Sequence, residues 1–267
     1  MVTSGYWQDL TTRDFASLDA EHTVAVLPVA AVEQHGPHLP LATDALINEG
    51  IITATLERLP RSSAVLVLPA LDVGTSLEHA DFPGTLSIDA ERLLAVWLDI
   101  GASVARAGVR KLVIFNTHGG QKSLVDLAAL RLRVAHDLFV VRANYFSFGT
   151  PEGLFSAEEW LHGIHGGEVE TSLMLHLAPE LVRREALENF TGLGAKLANE
   201  NELLGAEKPV GFAWKAQDLN PAGVCGNAAA ADAKRGAQYL EHLAKRFAAL
   251  LAEIGEVPLG VISNARS

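Results

Sequence analysis

Four short apolar runs, HTVAVLPV (His22–Val29), AVLVLPA (Ala64–Ala70), KLVIFN (Lys111–Asn116) and LFVVRAN (Leu138–Asn144), alternate with longer segments whose apolar residues recur at helical spacing. Strands that are apolar at nearly every position must be covered on both faces, which is the condition of a parallel sheet between two helical layers. The helical segments read as Ala45–Leu59, Asp89–Ala107, Ser123–His136, Gly167–Leu177 and Ala228–Ile254. In the second, Leu93, Leu94, Trp97, Leu98 and Ile100 form the buried side. Asp44 and Asp89 stand where N-caps belong. The expectation is an α/β fold, a single domain over residues 1–267 with a mostly parallel sheet covered by helices on both faces. Residues 189–227 break the pattern: they are polar and glycine-rich, and too long for an idle connector. They read as a loop region covering a site, with a surface excursion or an oligomer contact as equal alternatives.

A chain of 267 residues, 49% hydrophobic and 20% charged, has ordinary globular composition and length enough for a sizeable core. Its net charge of -11, without any Lys/Arg cluster, argues against nucleic acid or an anionic membrane as partner. Neither a leader-like N-terminal pattern nor an apolar run of spanning length is present, so a cytoplasmic location is expected. The single cysteine, Cys225, excludes an intrachain disulfide and a multi-cysteine zinc site. Flanked by Gly223 and Gly226, it reads as a small buried residue rather than a nucleophile.

Three segments far apart in sequence place ligand-type side chains beside glycine. AVEQHGPHLPLATDALI (Ala31–Ile47) follows the first strand and carries Glu33, His35 and Asp44; Glu33 and His35, two apart, share a side if the backbone stays extended. NTHGG (Asn116–Gly120) follows the third strand and carries His118, so both lie at strand carboxyl ends, where open α/β sheets form their crevice. HGIHGGEVETS (His162–Ser172) repeats His162, His165 and Glu168 every third residue, one face if the segment is helical. Taken singly, His118 is a hydrogen-bonded turn residue, Asp44 an N-cap and Glu168 a complement to a helix dipole. Taken together, imidazole and carboxylate donors without thiolate suit Zn²⁺ or Mn²⁺. GGQKS (Gly119–Ser123) resembles an anion-cradling turn but lacks P-loop spacing, and EHADFPGTLSI (Glu78–Ile88) sets an acid and an imidazole before a Phe-Pro-Gly turn.

Together EQHGPHLPLATD, GTSLEHADFPGT, NTHGG and HGGEVETS resemble, in order and spread over most of the chain, the motifs of the creatininase (creatinine amidohydrolase) family. That family also includes a formamide hydrolase and the peptidase of mycofactocin maturation. The resemblance implies a homohexamer and two divalent ions per chain, zinc or manganese, with iron as an alternative. It implies that Glu33, Asp44 and His118 hold one ion and that His35, Asp44 and Glu168 hold the other, with Asp44 bridging. Three carboxylates and a bridging hydroxide then balance the four positive charges. His165 is expected to transfer a proton beside Glu168, and Glu78, His79, Gly119 and Gly120 are assigned to the substrate.

Creatininase itself carries an acidic ligand where this chain has Gly120, and Glu168 is read as its replacement. Its substrate-clasping tyrosine, tryptophan and glutamate correspond here to Gly119, Leu161 and Ile164, and its Gly-Asp-Pro pattern reads Gly226-Asn227-Ala228. The expected activity is therefore hydrolysis of a non-peptide C–N bond, cyclic amide or formamide, in a small-molecule substrate other than creatinine. A peptidase trimming a short peptide, a metal-dependent lyase or isomerase of a small carbonyl compound, and a metal-binding member without catalysis are the alternatives.

Overall fold

The computed structural model describes residues 4–262. In chain order its elements are β1 (Gly5–Tyr6), α1 (Thr12–Phe15), β2 (Val24–Val29), α2 (Thr43–Leu56), β3 (Val65–Val67), α3 (Ala90–Arg106), β4 (Lys111–Asn116), α4 (Lys122–His136), β5 (Phe139–Asn144), α5 (Ala157–His162), α6 (Glu168–Leu177), β6 (Asn189–Phe190), α7 (Leu193–Glu200), α8 (Ala216–Leu219), β7 (Gly226–Asn227) and α9 (Ala233–Glu256). Five strands form one parallel sheet in the order β1-β3-β2-β4-β5. Strand periodicity explains the two helical layers. Val24, Val26, Val113 and Phe115 point to the face packed by residues of α2, α6 and α9. Ala25, Leu27, Val29, Leu112 and Ile114 point to the face packed by residues of α3 and α4.

The third strand is shorter than its apolar run. Val24, Ala25 and Val26 pair in step with Val65, Leu66 and Val67, but Val29 pairs with Leu71, one residue out of register. Pro28 and Pro69 both lack an N–H, so the ladder breaks opposite them and one extra residue is accommodated. The lone charge in a central strand is also explained: buried Lys111 donates from Nζ to the Gly255 carbonyl at 2.7 Å, at the carboxyl end of α9.

Three expectations are corrected. Asp44 is not an N-cap: α2 begins at Thr43, Ala42 is the capping residue, and the Asp44 carboxylate turns inward. Asp89 does cap α3, accepting from the N–H groups of Glu91 and Arg92. His162, His165 and Glu168 share no helical face, because α5 ends at His162, Gly166 takes φ +65°, and α6 starts at Glu168. The last helix starts at Ala233, where Asp232 accepts from the N–H of Arg235.

Residues 189–227 are more ordered than a plain loop. They contain α7, α8 and the two-stranded antiparallel sheet β6-β7, and bury Phe190, Val224 and Cys225. Burial pushes the Cys225 thiol up to about 11, so it stays protonated and inert. The segment returns to the body through the backbone bridge between Cys225 and His165.

Helices α6 and α9 touch at backbone distance: a Cβ added to Gly236 lies 1.8 Å from the Ser172 carbonyl oxygen. Backbone cannot yield as a side-chain tip can. Gly236→Ala is therefore expected to destabilise the protein by about 1–3 kcal/mol despite its better helix propensity, measured by urea denaturation. Unchanged or increased stability shows that the two helices can separate freely.

Candidate metal centre

Beyond β2 the chain leaves toward β3 on one side of the strand, and later returns to lay β4 on the other. The crevice at such a reversal lies at the strands' carboxyl ends, between Ala30 and Thr117. A buried polar network ties its walls together. Asn48 of α2 donates from Nδ2 to the Val29 carbonyl and to Thr117 Oγ1, both at 3.2 Å, and Thr117 Oγ1–H donates to the Asp44 carbonyl at 2.9 Å. Asn116 fixes the next residues: its Nδ2 donates to the His118 carbonyl and its Oδ1 accepts the His118 N–H.

Into this crevice project Glu33, His35, Asp44 and His118, all buried. His118 Nδ1 lies 3.1 Å from Glu33 Oε1 and 3.3 Å from Asp44 Oδ2. His35 Nε2 lies 3.4 Å from Asp44 Oδ1 and 3.9 Å from Glu170 Oε2. The two oxygens of Asp44 thus face two different histidines. The far nitrogen of each ring is held by a carbonyl: His35 Nδ1–H donates to Glu33 O at 3.1 Å, and His118 Nε2–H to Thr75 O at 2.9 Å. The nitrogens turned inward therefore offer lone pairs when the rings are neutral, the usual outer support of a metal-binding histidine.

Three buried atoms at the middle of this cluster, Glu33 Oε2, His35 Nε2 and Asp44 Oδ2, have no hydrogen-bond partner. Polar atoms left so are costly unless a ligand satisfies them. Their donor types, imidazole nitrogen and carboxylate oxygen, fit a divalent cation. Groups with ligand atoms mutually within 4.8 Å are Glu33, His35 and Asp44; Glu33, Glu78 and His118; Glu33, His79 and His165; and His35, His165 and Glu170.

Electrostatics follow from the same crowding. Burial opposes charge on His35, but Asp44, Glu170 and Glu33 outweigh it and push its pKa up to about 9. Burial likewise opposes charge on His118, and Glu33 and Asp44 raise it well above the usual range. Burial favours the neutral acid in Glu33, yet His118, His79 and His165 hold it well below the ordinary carboxylate range. Burial raises Glu170 to about 7. At the rim, burial lowers His79 to about 4, and burial with the neighbouring imidazoles His35 and His79 lowers His165 well below its usual value. The inner histidines thus carry protons where a cation would sit, while the outer two stay neutral.

The carboxylate expected from Glu168 comes instead from Glu170. Residues two apart on a helix point about 200° from each other, so only one of the pair can face the crevice. Glu168 turns to Arg235 of α9 and pairs with its guanidinium, while its backbone N–H donates to Glu159. Glu170 accepts from the Gly166 N–H at 2.6 Å and from the Tyr145 hydroxyl at 3.4 Å, which aims it at His35. The motif HGGEVETS holds the signal: a helix starting at Glu168 offers both acids in its first turn, and only Glu170 faces inward.

Of the residues assigned to substrate, Glu78 and His79 reach the crevice: Glu78 Oε1 lies 3.5 Å from His118 Nε2, and His79 Nε2 lies 3.6 Å from Glu33 Oε1. Burial raises the pKa of Glu78. A Cβ on Gly120 would lie 1.7 Å from Glu78 Oε1, whereas Gly119 faces open space. His165 Nδ1 lies 3.8 Å from Glu33 Oε1, with its ring against both His35 and His79. His162 ends α5 and borders a separate apolar pocket with Leu161 and Ile164. Gln34, between two of the named residues, had no signal in the sequence beyond its neighbours.

A parallel α/β fold with a carboxylate-and-imidazole cluster at its strand reversal defines a class of protein able to hold divalent ions at the sheet edge. The comparisons narrow the class. Residues 8–251 match the family described as creatinine amidohydrolase. A mycofactocin precursor peptide peptidase of Mycobacterium ulcerans is 30% identical over 261 residues, 96% of this chain and 95% of the relative. Creatinine amidohydrolase of Pseudomonas putida is 34% identical over 203 residues, 68% and 75% of the two chains. A crystal structure of creatininase superposes with TM-score 0.76 at 29% identity, covering 94% of this chain and 98% of the other. A manganese form superposes with TM-score 0.74 at 27% identity, covering 95% and 100%, and a mutant creatininase of Zn-Zn type with 0.74 at 28%, covering 94% and 98%. The chain belongs to the creatininase family of hydrolases. Among the described residues, no helix is long and apolar enough to cross a membrane.

Glu170→Gln is expected to lower the Zn²⁺ retained after dialysis, while Glu168→Gln retains it and instead loses about 1 kcal/mol of stability, because its pair with Arg235 keeps an acceptor but loses the charge. Elemental analysis and thermal denaturation separate the two; metal loss confined to Glu168→Gln reverses the placement. In metal-free protein, His35 holds a proton from its ordinary pKa up to about 9. A cation binding Nε2 must displace that proton, so zinc loading at neutral pH should release at least one proton per chain from His35 alone. The release should fade as pH rises past about 9. Calorimetry in buffers of different ionisation enthalpy measures it; release unchanged across that range excludes His35 as its source.

Proposed function

We propose that this protein is a dinuclear metal-dependent amidohydrolase that cleaves a non-peptide C–N bond, in a cyclic amide or formamide other than creatinine. The observation that carries the reading is the buried cluster of Glu33, His35 and Asp44, whose ligand atoms lie within 4.8 Å of one another and in which Glu33 Oε2, His35 Nε2 and Asp44 Oδ2 have no hydrogen-bond partner. Glu33, Asp44 and His118 would hold one ion and His35, Asp44 and Glu170 the other, Asp44 reaching both because its oxygens face different histidines. Zinc or manganese in such a pair supplies a Lewis acid for the carbonyl and lowers the pKa of a water. Three carboxylates offset most of the charge of two divalent ions and leave the site attractive to an electron-rich oxygen.

His165 performs the proton transfer. Its Nε2 lies 2.8 Å from the Gln34 carbonyl and so carries the hydrogen, which leaves Nδ1 facing the crevice with a lone pair. Burial keeps the ring neutral, so Nδ1 accepts a proton from the attacking water and passes it to the leaving nitrogen. Two of the positions that the resemblance assigns to clasping the creatinine ring offer no such contact: Gly119 faces open space, and Leu161 is half exposed beside a separate pocket. Misplacing a reactant by about 1 Å costs on the order of 10²-fold, so creatinine should turn over poorly.

The second reading, a peptidase acting on a short peptide, is favoured by the relative from Mycobacterium ulcerans, whose likeness spans 96% of this chain. Zinc- or manganese-loaded protein is to be assayed against lactams, formamides, ureido compounds and short peptides, with ammonia, amine and formate measured. Cleavage of a non-peptide amide supports the first reading, cleavage of peptides alone the second, and creatinine turnover as fast as that of creatininase removes both. On the compound cleaved, His165→Ala should lower kcat by about 10²- to 10⁴-fold with its metal retained. Loss of metal from that variant makes His165 a ligand, and a larger loss in His162→Ala assigns the proton step elsewhere.

A further inference from the structure

Three histidine rings converge on Oε1 of Glu33: His118 through Nδ1 at 3.1 Å, His79 through Nε2 at 3.6 Å and His165 through Nδ1 at 3.8 Å. Which of these nitrogens brings a lone pair and which a hydrogen is decided on the far side of each ring. His118 and His165 each place Nε2 against a backbone carbonyl, of Thr75 and Gln34. A carbonyl only accepts, so both rings keep hydrogen on Nε2, and each ring when neutral turns a lone pair toward Glu33. His79 is the reverse. Its Nδ1 lies 2.7 Å from Nε2 of Gln34, an amide nitrogen that only donates, so the hydrogen of His79 resides on Nε2 and faces Glu33.

The Gln34 amide has one workable orientation. Its Oε1 accepts the Gly36 N–H at 2.9 Å, and its Nε2 donates to the Gly223 carbonyl at 2.6 Å. Reversed, the amide would oppose oxygen to carbonyl and nitrogen to N–H. Both glycines lie in the left-handed region, at φ +69° and +78°, and a Cβ on Gly223 would stand 2.5 Å from Gln34 Oε1. The two hydrogens of Nε2 are spent on Gly223 and His79. Its approach to His165 Nε2, 3.2 Å, sets donor against donor.

We propose that His79 is a positioning residue and not a metal ligand: Gln34 holds it in the Nε2–H tautomer, and that N–H orders the carboxylate of Glu33 against the ion. A ligand needs a lone pair where His79 presents a hydrogen, which separates it from the other members of its cluster. Carboxylates that hold metals are themselves hydrogen-bonded from outside, and loss of such a partner typically weakens metal binding 10- to 100-fold. The inference rests on the function proposed above only in taking zinc as a resident ion.

Long-range proton–nitrogen correlation spectra of the histidine side chains read the tautomers directly. Metal-free protein should show His79 protonated at Nε2 and accepting at Nδ1. Zinc alone should then shift His118 Nδ1 as a ligand while leaving both His79 nitrogens uncoordinated. Zinc affinity, measured by chelator competition, should fall about 10- to 100-fold in His79→Ala. His79→Gln, whose amide nitrogen falls near the lost Nε2, should keep most of the affinity, and His79→Asn, which reaches only the Nδ1 position, should behave like the alanine variant. An Nδ1–H tautomer, a zinc-coordinated shift at His79, or equal affinities in the Gln and Asn variants overturns the proposal. The tautomer is read without any substrate, so an inactive panel leaves this inference standing, and its own failure leaves the hydrolase reading intact.

Discussion

The structure turns on one carboxylate shared between two histidines. Asp44 presents Oδ1 to His35 and Oδ2 to His118 in a space closed to water, with Glu33 and Glu170 close by. Acids so crowded repel one another and lose their hydration, an arrangement that stands only with positive charge among them. Protons on His35 and His118 provide it in the metal-free chain, and the same geometry is open to cations that displace those protons. Asp44 also lies in the first turn of α2, where the positive end of the helix dipole adds to the compensation. A residue with the composition of an ordinary cap thus becomes the centre of the site.

Holding such a cluster requires that several chain segments not drift. The β2-β4 pairing runs unbroken from Val24 to Val29 and fixes the two strand ends side by side. Asn48 and Thr117 then tie the first turns of α2 to both ends through buried hydrogen bonds. Glu170 is placed by α6, which is locked to α9 by the close approach at Gly236. Parts of the fold far from the crevice therefore bear on its geometry through rigid elements in contact, not through flexible arms.

The strands and long helices were legible because their signal is periodic and local. The four apolar runs contain the strands β2 to β5, with β4 unchanged and the others trimmed by one or two residues at their starts and, in β3, also where the ladder breaks near its prolines, and the helices shift by a few residues at their ends. β1 has two residues and no period to detect. Glu33, His35, Asp44 and His118, each visible as a ligand-type residue at a strand end or beside one, lie in one crevice. Telling which of Glu168 and Glu170 faces the crevice needs the helix phase, which shows in the pairing of Glu168 with Arg235, sixty-seven residues downstream. The three-residue repeat through His162 misled for a related reason: Gly163 and Gly166 interrupt the helix it presumes. Gln34 was invisible because its role lies in its partners, the backbone of Gly36 and Gly223 and the ring of His79.

Glu78 and Gly120 show how the rim is built around the inner cluster. Creatininase, in the resemblance drawn above, carries an acidic side chain at the position of Gly120, and Glu168 was read as supplying that charge here. In the structure Glu168 pairs with Arg235, and the volume into which any Cβ at residue 120 would project holds the carboxylate of Glu78. The two positions are therefore coupled by volume, since a side chain at 120 requires the Glu78 carboxylate to shift. Glu78 also approaches the Nε2–H of His118 from outside, whereas Glu33 and Asp44 face its Nδ1 from within. An acid entering from the loop before α3 leaves the β4 end bare, so Gly119 opens onto free space where a clasping residue would stand. The rim at residues 78, 119 and 120 thus departs from the pattern of the resemblance, while Glu33, His35, Asp44 and His118 keep their mutual contacts within.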